Sequence, residues 1–458
     1  MICYTIFKQE CCRKSCTLFF RENPLKIVRG SGQYLYDEQG NEYLDCINNV
    51  AHVLAHLDIA TPHVVNAAAV QNSLLCTNSR FLHDNIVSYA KRLISYFPEN
   101  LSVCYFVNSG SEATDLALQL ARSHTGRKDV IVLEDAYHGH LLSAMNVSPY
   151  KFRKINGHKQ KKWVHVTPLP CRYRGKFQAD QYSDYDSAYA KDFEMLVQDM
   201  QARGYPPGAF LAEALPSCAG QIIPPKWYFK NTFAAVRAAG GVCIMDEVQT
   251  GFGRIGHHMW AFQLHEVEPD IVTIGKPIGN GHPVAAVVTT PAIAQSHSAI
   301  GTGYFNTFGG NPVSLAVTNA VLDVIEKEKL QKHAKEIGEF MLHQLLSLKS
   351  RHILIGDVRG VGMFIGIDLV SSPLTKQPAT EEAQWILRRL KLRRILMSTD
   401  GRHDNVLKFK PPLVFSKDDG KKLIGILDEI LTEAERKFGY KSESLGSHST
   451  SDKEDNSC

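Results

Sequence analysis

A lysine and an aspartate are the two residues of this chain best placed to do chemistry. Lys276 closes the run Asp270-Ile-Val-Thr-Ile-Gly-Lys276, just past an apolar stretch and inside a Gly-rich turn. Asp246 closes an earlier apolar run, Val242-Cys-Ile-Met-Asp246. Charged side chains are rarely buried without a partner or a task, and open α/β sheets bind ligands beyond the carboxyl ends of their strands. A lysine that forms a Schiff base, with an aspartate that keeps a pyridine nitrogen protonated, is the arrangement pyridoxal phosphate chemistry needs. An opposite charge at ~4–6 Å shifts such a protonation by roughly 1–3 pKa units, or about 1.4–4 kcal/mol. Taken alone, the pair also fits a lysine and an acid that cap turns.

Three further motifs bear on that chemistry. Asn108-Ser109-Gly110-Ser111-Glu112 joins a strand to a helix, where small residues let backbone N–H groups approach a phosphate. The alternative is an ordinary N-cap by Ser109 or Ser111. Tyr137, at the end of the next strand, can stack on a flat ring or simply pack. Gln249, in Asp246-Glu-Val-Gln249, can hydrogen-bond a ring hydroxyl. No His-Glu-x-x-His, paired Cys-x-x-Cys, Walker loop or nucleophile elbow is present. The pairs His138/His140 and His257/His258 read as solvated or loop residues, and no metal is expected.

The elements that must position these residues alternate. Strands are expected at Val103–Val107, Val130–Leu133 and Ala209–Glu213 and ending at Met245 and Ile274, with helices at Glu112–Ser123 and Trp227–Ala239. This pattern predicts an α/β fold with a mostly parallel sheet in a large domain. After Gly309-Gly310-Asn311-Pro312 the pattern is helical to about Lys349. Short strands around 356–369, a helix from Thr380 to about Leu392, strands through Phe415 and a helix from Lys417 to Phe438 follow. These form a smaller α+β domain. A hairpin at Tyr34–Asp45 is free to add to it. The expected organisation is 1–45 with the small domain, 46–320 as the large domain, 321–440 as the small domain, and 441–458 as a polar, disordered tail.

The bulk numbers exclude several classes. With 458 residues the chain can hold a large domain and a smaller one, and a formal net charge of +4 with interspersed signs gives no nucleic-acid or membrane footprint. Apolar runs are strand-sized and too short to span a bilayer. Eleven cysteines in a chain this long are no disulfide framework. Cys3, Cys11, Cys12 and Cys16 lack a zinc spacing. The first residues carry basic side chains but no secretory apolar region.

Ser109-Gly-Ser-Glu-Ala113, Tyr137-His-Gly139, Asp246-Glu-Val-Gln249, Lys276 and Asn306-Thr-Phe-Gly-Gly-Asn-Pro312 together resemble the class III aminotransferase family of pyridoxal phosphate enzymes, of fold type I. The match in order and spacing runs over about residues 25–438. Asn48-Asn-Val-Ala-His-Val53, Thr77-Asn-Ser-Arg-Phe-Leu-His-Asp-Asn85, Gly220-Gln-Ile-Ile-Pro-Pro225 and Leu407-Lys-Phe-Lys-Pro-Pro412 resemble its phospho-lyase branch.

The resemblance implies a set of roles. Lys276 carries the cofactor and is the catalytic base, and Asp246 is the pyridinium partner. Ser109, Gly110 and Ser111 hold the cofactor phosphate, Tyr137 stacks on the ring and Gln249 touches its oxygen. Glu213 is an active-site acid. Thr307 reaches the cofactor phosphate of a neighbouring subunit, so the unit is a homodimer or a dimer of dimers. The implied reaction eliminates phosphate and ammonia from a small phosphorylated amine. 5-Phosphohydroxy-L-lysine is expected, giving 2-aminoadipate 6-semialdehyde. Phosphoethanolamine and ω-amine transfer are the alternatives.

Where many members of the family grip a carboxylate with arginine, this chain has Lys408, with Lys410 nearby, so a bidentate clamp is lost. Lys408 and Lys410, with Arg80 and Arg359, become candidates for holding a substrate phosphate. The resemblance also implies a mitochondrial address, with a cytoplasmic one as the alternative. The chain departs from the family at Val53-Leu-Ala-His-Leu-Asp-Ile-Ala-Thr-Pro62, which is longer and lacks the usual glycine, and in its cysteine-rich start.

Overall fold

The computed structural model describes residues 18–20, 23–48, 50, 53–55, 62–155, 158–301 and 303–440. Cys3, Cys11, Cys12, Cys16, most of the altered 53–62 loop and the polar stretch 441–458 lie outside them. The described chain opens with three strands, β1 (Ile27–Ser31), β2 (Tyr34–Asp37) and β3 (Glu42–Asp45). Asp37 closes the β2–β3 turn, its Oδ1 accepting from the backbone of Gln39 at 3.0 Å and Asn41 at 2.9 Å. Such Asx contacts mimic a backbone turn.

The central sheet holds β4 (Val103–Val107), β5 (Val130–Leu133), β6 (Val164–Thr167), β7 (Ala209–Glu213), β8 (Val242–Asp246), β9 (Ile271–Ile274) and β10 (Ala285–Thr289). Its order is β4-β10-β9-β8-β7-β5-β6. Only β10 runs against its neighbours. Every residue of β5 and of β7 through β10 is buried, because helices cover both faces. That is why these strands read as unbroken apolar runs rather than alternating ones. Val130, Val132, Leu211, Ile244 and Val287 pack with Leu116 and Leu120 of the helix Gly110–Thr125 on one face. Ile131, Phe210, Met245 and Val272 enter the main core on the other.

The C-terminal part contributes β11 (Ile355–Val361), β12 (Phe364–Ser372), β13 (Gln377–Pro378), β14 (Ile395–Leu396), β15 (Ser398–Asp400) and β16 (Val406–Phe409). These make an antiparallel sheet ordered β11-β12-β16-β15, with β13 on β12. β14 leaves it and pairs in parallel with β3, Leu44 opposite Ile395. The helical stretch after Pro312 is two helices, Pro312–Lys327 and Leu330–Lys349, divided at Lys329 with φ +54°. Backbone bonds from Lys410 to Cys46 (2.9 Å) and from Leu413 to Val53 (2.7 Å) tie the chain after β16 to the chain after β3. Among the described residues no helix is long and apolar enough to cross a membrane.

Candidate active site

The parallel register sets the site. Glu213 stands opposite Asp246, and Asp246 opposite Thr273, so the strand ends of β7, β8 and β9 form one edge. Lys276 follows two residues past β9, at φ +32°, in a short helical turn ended by Asn280. Such backbone angles in non-glycine residues cluster at functional sites. Asn280 is buried; its Oδ1 accepts the amides of Val53 and Leu54, both at 2.9 Å, which ties the segment 53–54 to the lysine turn.

Asp246 is fixed on both oxygens. Oδ1 accepts Val248 N at 3.0 Å, and Oδ2 lies 2.8 Å from His138 Nδ1. His138 is itself buried and anchored: its N donates to Ser148 Oγ at 2.9 Å, and its carbonyl accepts Thr114 Oγ1 at 2.8 Å. Of the two readings offered for His138, solvated or loop, only the second holds. The residue is a buried partner of the key acid; only His140 of that pair is exposed. Burial pushes the pKa of Lys276 down, against the opposing pull of Asp246 and Glu213. A neutral amine there is a competent nucleophile and base.

Across from these groups the helix Gly110–Thr125 aims its N-terminus into the cavity. Ser109 caps it, Oγ accepting Glu112 N at 3.2 Å. The backbone is packed too closely for side chains. A Cβ on Gly110 would lie 2.9 Å from Val248 Cγ1, and one on Gly139 (φ +130°) 2.5 Å from Ser111 Oγ. The cavity, about 290 Å³, is lined by Ser109, Gly110, Ser111, Tyr137, Asp246, Gln249 and Lys276 among others. Amide donors of a helix end, a fixed carboxylate and a desolvated lysine thus face one space.

Residues 20–431 match the family model for class III aminotransferases. The chain belongs to the class III aminotransferase family. It is 53% identical to the Drosophila melanogaster protein named alanine–glyoxylate aminotransferase 2-like, over 92% of this chain and 85% of that one. It is 45% identical to ethanolamine-phosphate phospho-lyase homolog 1 of Caenorhabditis elegans, over 91% and 90%. Its fold superposes on a phospholyase from Arthrobacter in complex with phosphoethanolamine with a TM-score of 0.87 and 36% identity, over 94% of this chain and 99% of that one. Phospho-lyases are thus among the relatives of this family member, alongside aminotransferases.

The cofactor of this class III enzyme is pyridoxal 5'-phosphate, and the cavity fits it. The helix end and the two close-packed glycines suit a phosphate. Asp246 suits the ring nitrogen, and Lys276 the aldehyde.

Glu213 does not line the cavity. Its carboxylate accepts Tyr137 N at 3.2 Å and Ser217 N at 2.9 Å, so it shapes the Tyr137 loop from behind. Burial raises its pKa, with neighbouring His138 acting in the opposite sense. Thr307 is exposed and lies outside the cavity formed by its own chain. Arg80 is exposed as well, its guanidinium 4.1 Å from the Phe305 ring centroid.

Arg359 is the clearest correction. It is buried and donates to Gly220 O at 2.7 Å, Asp357 at 2.8 Å and Asp368 at 3.2 Å. A guanidinium so occupied has no fork left for a phosphate; its role is to lock the small sheet onto the 216–222 loop.

Lys408 and Lys410 do reach the site. They line a second cavity of about 450 Å³ that meets the first at Gln249. Lys410 donates to Gln249 Oε1 and Lys408 to Asp400. Burial opposes the charge of Lys408, but Asp400, joined by Cys218 and Tyr150, leaves its pKa raised. Lys410 is pushed well below its ordinary value by burial, then by Lys408, Lys276 and Arg254. Arg254 is buried; Nη1 donates to Pro411 O at 2.7 Å, and Nε and Nη2 have no partner among the described residues. Sequence alone offered one signal for this cluster, a lysine in an arginine slot.

Proposed function

We propose that the protein eliminates phosphate and ammonia from 5-phosphohydroxy-L-lysine, giving 2-aminoadipate 6-semialdehyde. The observation that carries the reading is the pair of buried lysines that meet the cofactor cavity at Gln249: Lys408, paired with Asp400, and Lys410, whose charge burial and Lys408 disfavour in the absence of an anion. Buried like charges are costly without a counter-charge, and a phosphate dianion supplies it.

The bound cofactor supplies an electron sink for the carbon that bears the reacting amine. Asp246, oriented by His138, presents the negative charge that keeps this sink effective. Lys276 Nζ takes the proton from that carbon as general base. A carbon–carbon double bond forms as the C–O bond on the adjacent carbon breaks. Phosphate leaves with the electron pair toward Lys408 and Lys410. Water then completes the conversion to aldehyde and ammonia. Tyr137 covers one side of the site, and Ser109, Gly110 and Ser111 hold the cofactor's phosphate.

Phosphoethanolamine is the second reading, favoured by the likeness to the Arthrobacter phospholyase. The test measures phosphate release from each compound with no keto acid present. Release from 5-phosphohydroxy-L-lysine with the higher kcat/KM is the expected result. Amine transfer to a keto acid without phosphate release would overturn elimination altogether.

The active unit in this reading is a homodimer or a dimer of dimers. Thr307 and Arg80 share a surface with the exposed apolar side chains Phe81, Leu82, Phe305 and Phe308, an arrangement suited to an interface. Size-exclusion chromatography with light scattering tests it. A mitochondrial address is part of the same proposal and is checked by fractionation of cells expressing the full chain.

A further inference from the structure

The cation cluster contains one group that works against a phosphate. Asp400 ends β15, whose residue Ser398 stands opposite Lys408 and whose Asp400 stands opposite Val406. Side chains two apart on a strand share a face, so Asp400 and Lys408 project from the same side of the sheet and pair there. Both remain open to the cavity, at 13% and 14% side-chain exposure. A carboxylate in this position repels an incoming dianion and takes up part of the field of Lys408. It keeps Lys408 charged in the empty site, but once a phosphate takes Lys408 the carboxylate is left without its partner.

The cavity also extends further than a two-carbon substrate requires. Its volume is about 450 Å³, and beyond the lysines it runs on to Phe19, Phe20 and Leu396. Phosphoethanolamine has a single ammonium group, the one consumed at Lys276. An amino acid phosphorylated near its far end carries a second ammonium beyond the phosphate.

We infer that Asp400 is a specificity residue that receives the α-ammonium of an amino-acid substrate, in the arm of the cavity past Lys408. The inference rests on the elimination reading above. In it, Lys408 exchanges Asp400 for the substrate phosphate, and Asp400 exchanges Lys408 for the substrate ammonium. Lys408 and Asp400 thus each keep a partner throughout, as burial demands.

The test compares KM for phosphate release from 5-phosphohydroxy-L-lysine and from its deamino analogue, in which hydrogen replaces the α-amino group. The wild type is expected to show a KM about 10- to 100-fold higher for the analogue, the range of a charge-assisted hydrogen bond. Asp400→Asn is expected to collapse that ratio toward one, and Asp400→Glu to keep most of it. A purely structural Asp400 would change both KM values alike and leave the ratio intact, which overturns the inference. Equal KM values in the wild type overturn it without any variant, so a misfolded Asp400→Asn protein does not rescue it. Wild-type enzyme that acts on phosphoethanolamine and on neither lysine-derived compound removes the substrate reading together with this one. Turnover of both lysine-derived compounds at equal KM removes only this one.

Discussion

His138 and Asp246 form a buried pair, Nδ1 to Oδ2 at 2.8 Å, between the loop after β5 and the end of β8. The histidine fixes the carboxylate that lines the cavity beside Lys276. Replacing His138 with Phe leaves that oxygen buried without a donor, a loss of about 1–3 kcal/mol. Affinity of the apoprotein for pyridoxal phosphate, measured by spectroscopic titration, is expected to fall by about tenfold or more. An unchanged affinity would make His138 a packing residue only.

Lys276→Ala is expected to lower phosphate release by at least about 10³-fold while leaving the thermal midpoint within a few degrees. Borohydride treatment followed by peptide mass mapping should place the reduced cofactor on the peptide containing Lys276 in the wild type. Phosphate release at the wild-type rate by the alanine variant would refute the assigned base.

Charge reversal at Lys408 places two carboxylates, the new one and Asp400, at the position proposed for the substrate phosphate. Lys408→Glu should raise KM for the phosphorylated substrate by about tenfold or more. Lys410→Met removes a buried amine whose charge burial and its basic neighbours disfavour. It should raise KM as well, with a smaller loss of stability than a buried lysine usually implies. Steady-state kinetics and urea unfolding on the same preparations decide both points.

His265 gives a pH signature separate from catalysis. It is buried with Nε2 3.0 Å from Ala214 O, and burial lowers its pKa from 6.5 to about 4. The unfolded chain therefore takes up a proton near pH 6.5 that the folded chain refuses until about pH 4. Stability from this residue is complete above pH 6.5 and falls as pH drops through that window, by up to about 3 kcal/mol. His265→Gln, which keeps a donor for Ala214, should flatten that part of the urea-midpoint curve between pH 7 and pH 4.5.

The central sheet was legible because strands buried on both faces leave long apolar runs, and a charge at the end of such a run stands out. Asp246 and Lys276 were visible for that reason. The helix Gly110–Thr125 announces itself through its cap, Ser109. What stayed hidden depends on partners distant in sequence. Nothing local to Tyr137-His138-Gly139 says that the imidazole meets an aspartate on another strand. Nothing near Arg359 says that Asp357 and Asp368 will consume it. The return strand β10, antiparallel in an otherwise parallel sheet, needs tertiary context to be oriented.

The parallel pairing of β3 with β14 joins residues about 350 positions apart, and distant segments such as these assemble late. During synthesis the N-terminal hairpin waits with one edge unpaired while the central sheet is made, and an open edge invites association. The cavity wall at Phe19 and Phe20 waits with it, because Leu396, Lys408 and Lys410 supply its other side. A ribosome must therefore deliver nearly the entire chain before the substrate cavity closes. Premature termination anywhere before β14 yields a product for quality control to clear, not a partly active enzyme.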